Sequence, residues 1–597
     1  MHADYGYSEE QELGKPYDVK LLKRLWFFMK PYQRWLWLSV FMLIFITVIE
    51  LALPYLTRIA IDEYIVPKGQ IPLLLEEKLS GITRIAVIFL ILTVADLIFN
   101  FIQVMVVEYA GQMMMHDLRI NIFSHLQSLS LSFFNHNPVG RLVTRVTNDV
   151  QNMHELFTSV TVFMFKDAMM LAGIAILLLI LNWQLAVVSF MVIPVVYYAS
   201  VRFSGKAREL FRKLRLLVAK INIRFSETIA GIKVIQLFMQ EMENYQNFKN
   251  LNHENYTTML SQISVYAVFM RIIGFLGTFV MALVIFYGGV GVLAESITLG
   301  VLVAFLSYVR MFFRPIQDIA EKHNILQNAM SSAERIFLIL DNDEKLPQPA
   351  LSPVLDRIES IEVKDLCFAY TPGEPVLNNV SFSVKAGETV AIVGPTGSGK
   401  TSVIHLLIRF YEPNSGQILI NGHDMKSLSP SVLRNKTALV SQDPFLFSES
   451  VFHNIFQDRT DVSEDEIETV LKDSNCKEII QKLPKGIHSE LSEGGASVSS
   501  GERQLISIAR AFARNPDLII LDEATSYIDS ETEAKIQDAL SNLTRNRTTL
   551  IIAHRLSTVR QADRIIVLRR GRIIEIGNHE ELMKQKGFYF KLNQMQH

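Results

Sequence analysis

Long apolar stretches fill the first half of the chain and are missing from the second half. Four of them are bounded by polar segments: Trp35–Thr57, Ile85–Val107, Ile272–Ala294 and Ile297–Phe313. A fifth, Ala168–Val201, carries no formal charge and would be about 50 Å long as one helix, against a hydrocarbon core of ~30 Å. We therefore expect this stretch to fold back at Asn182-Trp183, which gives six transmembrane helices in all.

Two of the predicted spans contain a carboxylate, which is expensive in a membrane and usually faces protein or water. Glu50 lies in the first span and Asp96 in the second. One interpretation is a polar lining that contacts a cationic substrate. The other is that these groups pair with neighbouring helices or lie near the outer water boundary, and the sequence leaves both open.

Basic residues indicate the orientation of the spans, because Lys and Arg accumulate on the cytoplasmic side. The segment before the first span contains Lys15, Lys20, Lys23, Arg24, Lys30 and Arg34, and the loop Ser204–Gln262 contains nine more basic residues. Both chain ends are therefore predicted in the cytoplasm, and the layout favours a bacterial inner membrane. Leu21–Lys30 mixes apolar and basic residues, which predicts either a short helix in the membrane interface or an ordinary helix packed on protein.

The two long inner loops, Gly111–Phe157 and Ser204–Gln262, are predicted to be helical. In the second loop, apolar residues recur at three- and four-residue spacing, as on one face of a helix: Leu214, Leu217, Ile221 and Phe225. Each loop should turn at its tip, at Phe133–Pro138 in the first and near Gly231 in the second. These tips are candidate docking elements for the soluble half.

Composition supports a membrane half joined to a soluble half. Of 597 residues, 49% are hydrophobic and 20% are charged, against about 25% charged in soluble proteins. The net charge of −2 gives no basic excess for nucleic acid, and the only cysteines, Cys367 and Cys476, suit a reduced compartment. A proline-containing linker separates the halves, so we predict an N-terminal segment with the interfacial helix (1–34), a transmembrane domain (35–320), the linker (321–355) and a soluble domain (356–597).

The strongest local signal in the soluble half is a glycine-rich segment between an apolar run, Val390–Val393, and a helix-like run, Val403–Phe410. Its residues are Gly394, Pro395, Thr396, Gly397, Ser398, Gly399, Lys400 and Thr401. In such a strand–loop–helix unit, the glycines let backbone N–H groups converge on phosphate oxygens, and the helix N-terminus adds its positive dipole end. Lys400 should reach the β- and γ-phosphates, and the Thr401 hydroxyl should ligate Mg²⁺.

Two further apolar strands end in residues suited to phosphate chemistry. Leu518–Leu521 has the pattern of a buried strand, and Asp522 at its carboxyl end is placed to support Mg²⁺. Glu523 is the predicted general base that polarises water against the γ-phosphate. The strand Thr549–Ala553 leads to His554, which can hydrogen-bond the γ-phosphate.

With these motifs in this order, the chain resembles an ABC transporter half-molecule of the exporter type over nearly its whole length. The resemblance implies a membrane α-helical domain with six transmembrane helices fused to an α/β P-loop nucleotide-binding domain, which uses ATP and Mg²⁺. Tyr370 matches the aromatic residue that stacks on adenine, and Gln442 matches the glutamine that contacts Mg²⁺ and the attacking water. The implied ATP-binding set is Tyr370, Gly394, Pro395, Thr396, Gly397, Ser398, Gly399, Lys400, Thr401 and Ser402; the Mg²⁺ set is Thr401, Gln442 and Asp522; the catalytic set is Glu523, His554 and Gln442.

The resemblance also implies a dimer, because the signature motif of one chain completes the ATP site of its partner. The signature position holds Val498-Ser499-Ser500-Gly501-Glu502, where Leu-Ser-Gly-Gly-Gln is usual, and Ser499 and the Gly501 N–H would act on the partner's ATP. Asp529 matches the loop that crosses the dimer interface, and Glu493 matches a loop that precedes the signature.

The signature departs from the family's pattern at three of its five positions. Ser500 replaces a glycine, so it adds a side chain where a phosphate must approach closely, and Glu502 replaces glutamine. We therefore predict a heterodimer with one strong and one weak ATP site. The alternative is a homodimer that tolerates Ser500.

The leading hypothesis for function is ATP-driven export of amphipathic compounds, drugs or lipids, by alternating access. An ATP-gated channel or regulatory membrane protein is an alternative from another class, although intact Glu523 and His554 argue against it. A peptide exporter is a further alternative. The predicted partners are a second half-transporter, membrane lipid and a hydrophobic or amphipathic small molecule, with no nucleic acid.

Overall fold

The computed structural model describes residues 19–67, 74–349, 352–457, 459, 461–522, 529–552 and 559–595. The chain divides into two compact units. The first contains the residues before Ser128 together with Pro138–Asp343, and the second contains Ser128–Asn137 and the chain from Glu344 onward. The tip of the first inner loop therefore belongs to the second unit, as expected of a docking element.

The described residues of the first unit form helices. These are α1 (Val19–Met29), α2 (Gln33–Ile59), α3 (Leu75–Ser128), α5 (Val139–Thr144), α6 (Val150–Glu155), α7 (Val162–Leu181), α8 (Trp183–Phe190), α9 (Ile193–Ala230), α10 (Ile232–Leu237), α11 (Glu241–Leu293) and α12 (Leu299–Leu340). The intervening helix α4 (Leu131–His136) lies in the second unit. Wider π-helical turns at Ala60–Ile65, Arg145–Asp149 and Leu156–Thr161 join some of them.

Five helical segments among the described residues are long and apolar enough to cross a bilayer: Lys23–Ile65, Leu75–Ser128, Met164–Leu181, Trp183–Ala230 and Glu241–Leu293. A shorter apolar segment, Leu299–Phe313, opens α12. Each predicted span thus lies on a helix, but length and composition alone do not confirm the count of six. The last apolar segment is shorter than the other five.

The predicted break in the long uncharged stretch is confirmed at Asn182. This residue is extended, with φ −164° and ψ 107°, and its side chain accepts a hydrogen bond from the backbone N–H of Leu185. An asparagine in this position caps the helix that follows, so α7 ends and α8 begins here.

The prediction that the inner loops are helical is also confirmed. Helix α3 continues to Ser128, and α9 and α11 flank a short tip that begins at Gly231. In the first loop the chain turns between α4 and α5, at Asn137-Pro138. Because Pro138 cannot donate a backbone hydrogen bond, it suits the start of a new helix.

The second unit is built on two sheets. Strands β1 (Ser360–Phe368), β2 (Leu377–Lys385), β4 (Ser415–Ile420) and β5 (His423–Asp424) form an antiparallel sheet in the order β2-β1-β4-β5. Strands β3 (Thr389–Val393), β6 (Thr437–Val440), β7 (Leu518–Asp522), β8 (Thr548–Ile552), β9 (Arg564–Arg569) and β10 (Arg572–Gly577) form the other sheet in the order β10-β9-β3-β8-β7-β6. All neighbours in this sheet are parallel except β10 and β9.

The helices of the second unit complete an α/β domain. They are α4, α13 (Lys400–Leu407), α14 (Pro430–Asn435), α15 (Val451–Phe456), α16 (Glu464–Asp473), α17 (Lys477–Lys482), α18 (Ser500–Arg514) and α19 (Ser530–Thr544), followed by His579–Gln585 and Phe588–Met595. Alternate residues of the parallel strands enter two different apolar cores, so both faces of the sheet are covered. Such a sheet binds ligands at the carboxyl ends of its strands.

Candidate functional site

The glycine-rich loop connects the carboxyl end of β3 to the first turn of α13, as predicted. Gly399 has φ +103°, and a Cβ there would lie 2.7 Å from Leu377 Cδ2. A Cβ on Gly394 would lie 2.1 Å from the carbonyl oxygen of Leu568. Gly399 requires glycine because of its positive φ, and Gly394 requires it because a Cβ there would collide with backbone that cannot move aside.

Two observations test whether this loop fits a triphosphate. Ser398 Oγ is buried and has no hydrogen-bond partner within the described part of the chain. At Gly397, with φ +77°, a Cβ would meet nothing within 4 Å, so the loop is open on that side. A buried hydroxyl that lacks a partner fits a polar ligand, because an unsatisfied group is otherwise costly, and the open side at Gly397 leaves room for a ligand at the loop.

The glycine-rich loop fixes the position of the Lys400 side chain. Its Nζ donates hydrogen bonds to the carbonyl oxygens of Gly394, at 2.8 Å, and Pro395, at 3.2 Å. The ammonium is therefore held above the loop rather than extended into solvent. There it can meet the terminal phosphates of a nucleotide.

The strand register brings the other predicted groups to the same edge of the sheet. Ile552 in β8 pairs with Ile392 in β3 on one side and with Asp522 in β7 on the other. The strands that carry the phosphate loop and Asp522 therefore end level with each other. Glu523 and His554 lie outside the described residues, so their predicted roles remain predictions.

The predicted Mg²⁺ ligands supply oxygen atoms, the type that this cation prefers. Thr401 and Gln442 are exposed and Asp522 is partly exposed, so each is open to a ligand. Gln442 follows β6, which pairs in parallel with β7. The donor set therefore fits Mg²⁺ at the carboxyl edge of the sheet.

Tyr370 lies beside α13, and the residue is 39% exposed. Its hydroxyl lies 3.1 Å from Ser402 Oγ and 3.0 Å from His405 Nδ1. A ring held at its hydroxyl end and open to solvent can receive a flat base. Sequence reasoning missed His405, although it follows Ser402 by three residues and so shares its helix face.

The signature segment begins α18. Ser499 is the N-cap: its Oγ accepts from the Glu502 N–H at 3.3 Å, and Glu502 Oε2 accepts from the Ser499 N–H at 2.8 Å. This capping box gives Glu502 a structural role that a neutral residue would fill less well. Ser499 and Ser500 are exposed and Gly501 is buried.

Asp529 and Glu493 also lie where a helix begins. Asp529 caps α19, and the backbone N–H of Thr532 holds the pKa of this carboxyl below its usual value. Glu493 is exposed and opens a short 3₁₀ turn in which Gly494 has φ +63°. Both residues are accessible, as their predicted positions in surface loops require.

In the first unit, Glu50 is paired. Lys166 Nζ in α7 lies 2.8 Å from Glu50 Oε1 in α2, which supports the interpretation that Glu50 pairs with a neighbouring helix. Asp96 is different, because its Oδ1 is buried and without a hydrogen-bond partner among the described residues. Contact between Asp96 and a cationic substrate therefore remains a prediction.

Comparisons with known proteins assign the family. The chain matches the ABC transporter transmembrane region over residues 36–316 and the ABC transporter family over residues 377–526. It therefore belongs to the ABC transporters and is a half-molecule of the exporter type. It is a multi-pass membrane protein and an ATPase coupled to transport.

Curated relatives cover most of the chain. An ATP-dependent lipid A-core flippase of Syntrophus aciditrophicus (strain SB) is 36% identical and covers 83% of this chain and 83% of its own length. YheH of Bacillus subtilis (strain 168), a probable multidrug resistance ABC transporter ATP-binding/permease protein, is 36% identical and covers 87% of this chain and 78% of its own length. A solved bacterial Atm1-family ABC exporter with ATP bound has the same fold, with a TM-score of 0.78 at 24% identity over 94% of this chain and 98% of that structure.

Proposed function

We propose that the protein exports lipids or amphipathic drugs across the cell inner membrane, driven by ATP. Relatives named as a lipid A-core flippase and a probable multidrug transporter support this substrate class. Six transmembrane helices, with Leu299–Phe313 as the last, would place both chain ends and the nucleotide-binding unit in the cytoplasm, in agreement with the distribution of basic residues.

In the proposed ATP site, each residue acts on a defined part of the nucleotide. Tyr370 stacks on adenine, the loop from Gly394 to Ser402 holds the phosphates, and Lys400 neutralises the terminal ones. Thr401, Gln442 and Asp522 would hold Mg²⁺, which offsets the phosphate charge when bound. Glu523 polarises the attacking water and His554 donates to the γ-phosphate. The observation that carries this proposal is the buried Ser398 hydroxyl, unpartnered within the described chain, inside the loop.

Two such chains would form the working transporter. Ser499 and the Gly501 N–H would complete the partner's ATP site, and Asp529 would cross the interface. ATP binding then favours one of two states of the membrane unit and hydrolysis favours the other, so that the cavity opens alternately inward and outward. The inner-loop tips would carry this motion.

The signature segment supports a heterodimer. The Ser499 hydroxyl accepts the capping bond and keeps its own hydrogen to donate to a phosphate. In contrast, Ser500 adds bulk, and the Glu502 carboxylate places a negative charge in the first turn of the helix that must face that phosphate. We therefore propose that this chain completes the weaker of two ATP sites.

Mg²⁺-ATP turnover of the chain purified alone in lipid, beside its Glu523→Gln variant, tests these proposals. A partner half-transporter that co-purifies and is needed for turnover would support the heterodimer, and Glu523→Gln should then lower turnover by about a hundredfold or more, as loss of a general base does. The matched control is Glu464→Gln, which neutralises an exposed carboxylate in the first turn of α16.

The other outcomes are equally informative. Full turnover by the chain alone would contradict the heterodimer while leaving the exporter assignment intact. The pump would be contradicted if the folded chain binds ATP but stays inactive with every partner, and if vesicles show no uphill substrate flux. Both results together would favour the channel or regulator.

A further inference from the structure

Tyr370 contacts side chains of α13 and of Tyr411 in the second unit. Ser402 and His405 come from α13, at 3.1 Å and 3.0 Å from the hydroxyl oxygen. Tyr411 follows α13, and its ring centroid lies 5.0 Å from that of Tyr370. These residues, together with Asn135, form what we call the Tyr370 anchor.

The anchor fixes the orientation of the Tyr370 ring. The ring makes edge-type contacts at interplanar angles of 79° with Phe368 and 88° with Tyr411. The two hydrogen bonds at its hydroxyl restrict the remaining rotation of the side chain. Since 39% of the residue stays exposed, these contacts leave part of the ring open.

His405 can act in this way because it is uncharged near neutral pH. Burial lowers the pKa of His405, which outweighs the opposite effect of Asp522. A neutral imidazole has one donor and one acceptor nitrogen, so it can complement whichever role the Tyr370 hydroxyl takes toward Ser402. A leucine at this position would fill the space without a polar atom.

The anchor extends to the tip of the first inner loop. Asn135, which is exposed on α4, donates from Nδ2 to the Tyr411 hydroxyl at 2.5 Å. The ring of Tyr411 stacks on His405 with centroids 5.9 Å apart. A chain of contacts therefore leads from the loop tip to Tyr370: Asn135 touches Tyr411, Tyr411 touches His405, and His405 touches Tyr370. All four residues lie within the second unit.

We propose that His405 and Tyr411 are positioning residues that hold Tyr370 for the adenine base, and that Asn135 connects this positioning to the first inner loop. The inference rests on the proposed function, in which Tyr370 is the base-stacking residue. It adds that recognition of the base, as distinct from the phosphates, depends on side chains that never touch the nucleotide.

Equilibrium binding to the full-length chain in lipid nanodiscs tests this without requiring turnover or a partner. The ligands are ATP and inorganic tripolyphosphate, which has the phosphates but no base. We expect His405→Leu to weaken ATP binding about three- to tenfold, the range that one neutral hydrogen bond covers, with tripolyphosphate binding unchanged. His405→Asn should recover part of the loss, because its side-chain amide can again meet the Tyr370 hydroxyl.

A matched control exists in the same unit. His579 Nδ1 lies 2.8 Å from the Tyr589 hydroxyl, so His579→Leu breaks an equivalent His–Tyr pair away from the loop. This variant should leave both affinities unchanged. Asn135→Ala and Tyr411→Phe, which remove the contact at the loop tip, should weaken ATP binding about two- to threefold without affecting tripolyphosphate.

The design separates this inference from the proposal on which it rests. If Tyr370→Ala leaves ATP binding unchanged, the assignment of Tyr370 to adenine is wrong. If Tyr370→Ala weakens ATP binding but His405→Leu behaves like His579→Leu, or weakens both ligands equally, the positioning role is overturned. Unchanged ATP affinity in Asn135→Ala and Tyr411→Phe would overturn the connection to the loop tip.

Discussion

At the scale of single residues, the two cysteines show how strongly burial controls reactivity. Cys476 is fully buried, and this burial raises the pKa of its thiol to about 12. Cys367 is partly exposed, and its Sγ exchanges hydrogen bonds with the side chain and backbone of Asn379. Because the thiolate is the reactive form, the two thiols should differ in alkylation.

We expect a maleimide at pH 7.5 to label the folded protein at Cys367 only, and to label both cysteines after denaturation. Mass spectrometry of the labelled peptides measures this directly. The Cys367→Ser variant is the control and should take up no label while folded. Rapid labelling of Cys476 in that variant would show that the core around α17 opens in the native state.

Residues with a local sequence signature could be assigned to the site from sequence, and the others could not. Gly394, Gly399 and Lys400 belong to one continuous motif whose backbone requirements follow from its spacing. The role proposed for His405 depends on Tyr370, which precedes it by 35 residues and meets it only when β1 packs beside α13. A contact of this kind leaves no periodic pattern in a single sequence.

At the scale of elements, a buried ionic network joins α12 to the turn Arg145–Asp149. Asp149 is 3% exposed and accepts hydrogen bonds from Arg335, from Arg145 at 2.8 Å and from Ser332 at 2.8 Å. Burial alone would raise the pKa of Asp149, but these donors outweigh it and hold the pKa below its usual value. The network therefore stabilises the folded state above the unfolded pKa of about 4, and this contribution is lost as the pH falls through the folded pKa.

Asp149→Asn should therefore destabilise the first unit at neutral pH by about 3 kcal/mol, since it leaves two guanidinium groups without their counter-ion in a buried site. Thermal unfolding in lipid or detergent, followed by far-UV circular dichroism, measures the change in the unfolding midpoint. The control is Glu209→Gln, which removes an exposed pair with Lys206 at 2.9 Å and should cost at most about 1 kcal/mol. Equal midpoints for the two variants would contradict a stabilising role for the network.

Apolar periodicity predicted most helices of the first unit, but it did not predict where they end. The break at Asn182 and the helical inner loops were predicted because both depend on local patterns. Helix α12 instead continues through Pro315 to Leu340, well into the segment predicted as a linker from residue 321. Ala329, Ala333 and Ile336 are buried on this extension, so tertiary packing rather than hydropathy determines where the helix ends.

At the scale of the whole molecule, a single chain specifies its two units but not its assembly. The motifs predicted the sheet that carries the ATP site, because the glycine-rich loop, Gln442 and Asp522 each lie where a strand of that sheet ends. Whether the signature of this chain acts on an identical or a different partner depends on the partner's sequence. A substitution in the signature segment of this chain can therefore test the assembly without knowledge of the partner.

Ser500→Gly provides that test. Ser500 is exposed at the first position of α18, and glycine there would remove the Cβ from the path of the partner's γ-phosphate. We expect turnover of the assembled transporter to rise about tenfold. Loss of one well-placed donor to a reacting group costs roughly a hundredfold, and removing the Ser500 side chain should recover part of such a loss. Ser431→Gly is the control, because Ser431 is likewise exposed in the first turn of its helix, α14, and should leave turnover unchanged. Since Glu502 keeps its capping bond to Ser499 in both variants, a rise confined to Ser500→Gly isolates the steric effect, whereas unchanged or lower turnover would contradict the proposal that this signature limits its ATP site.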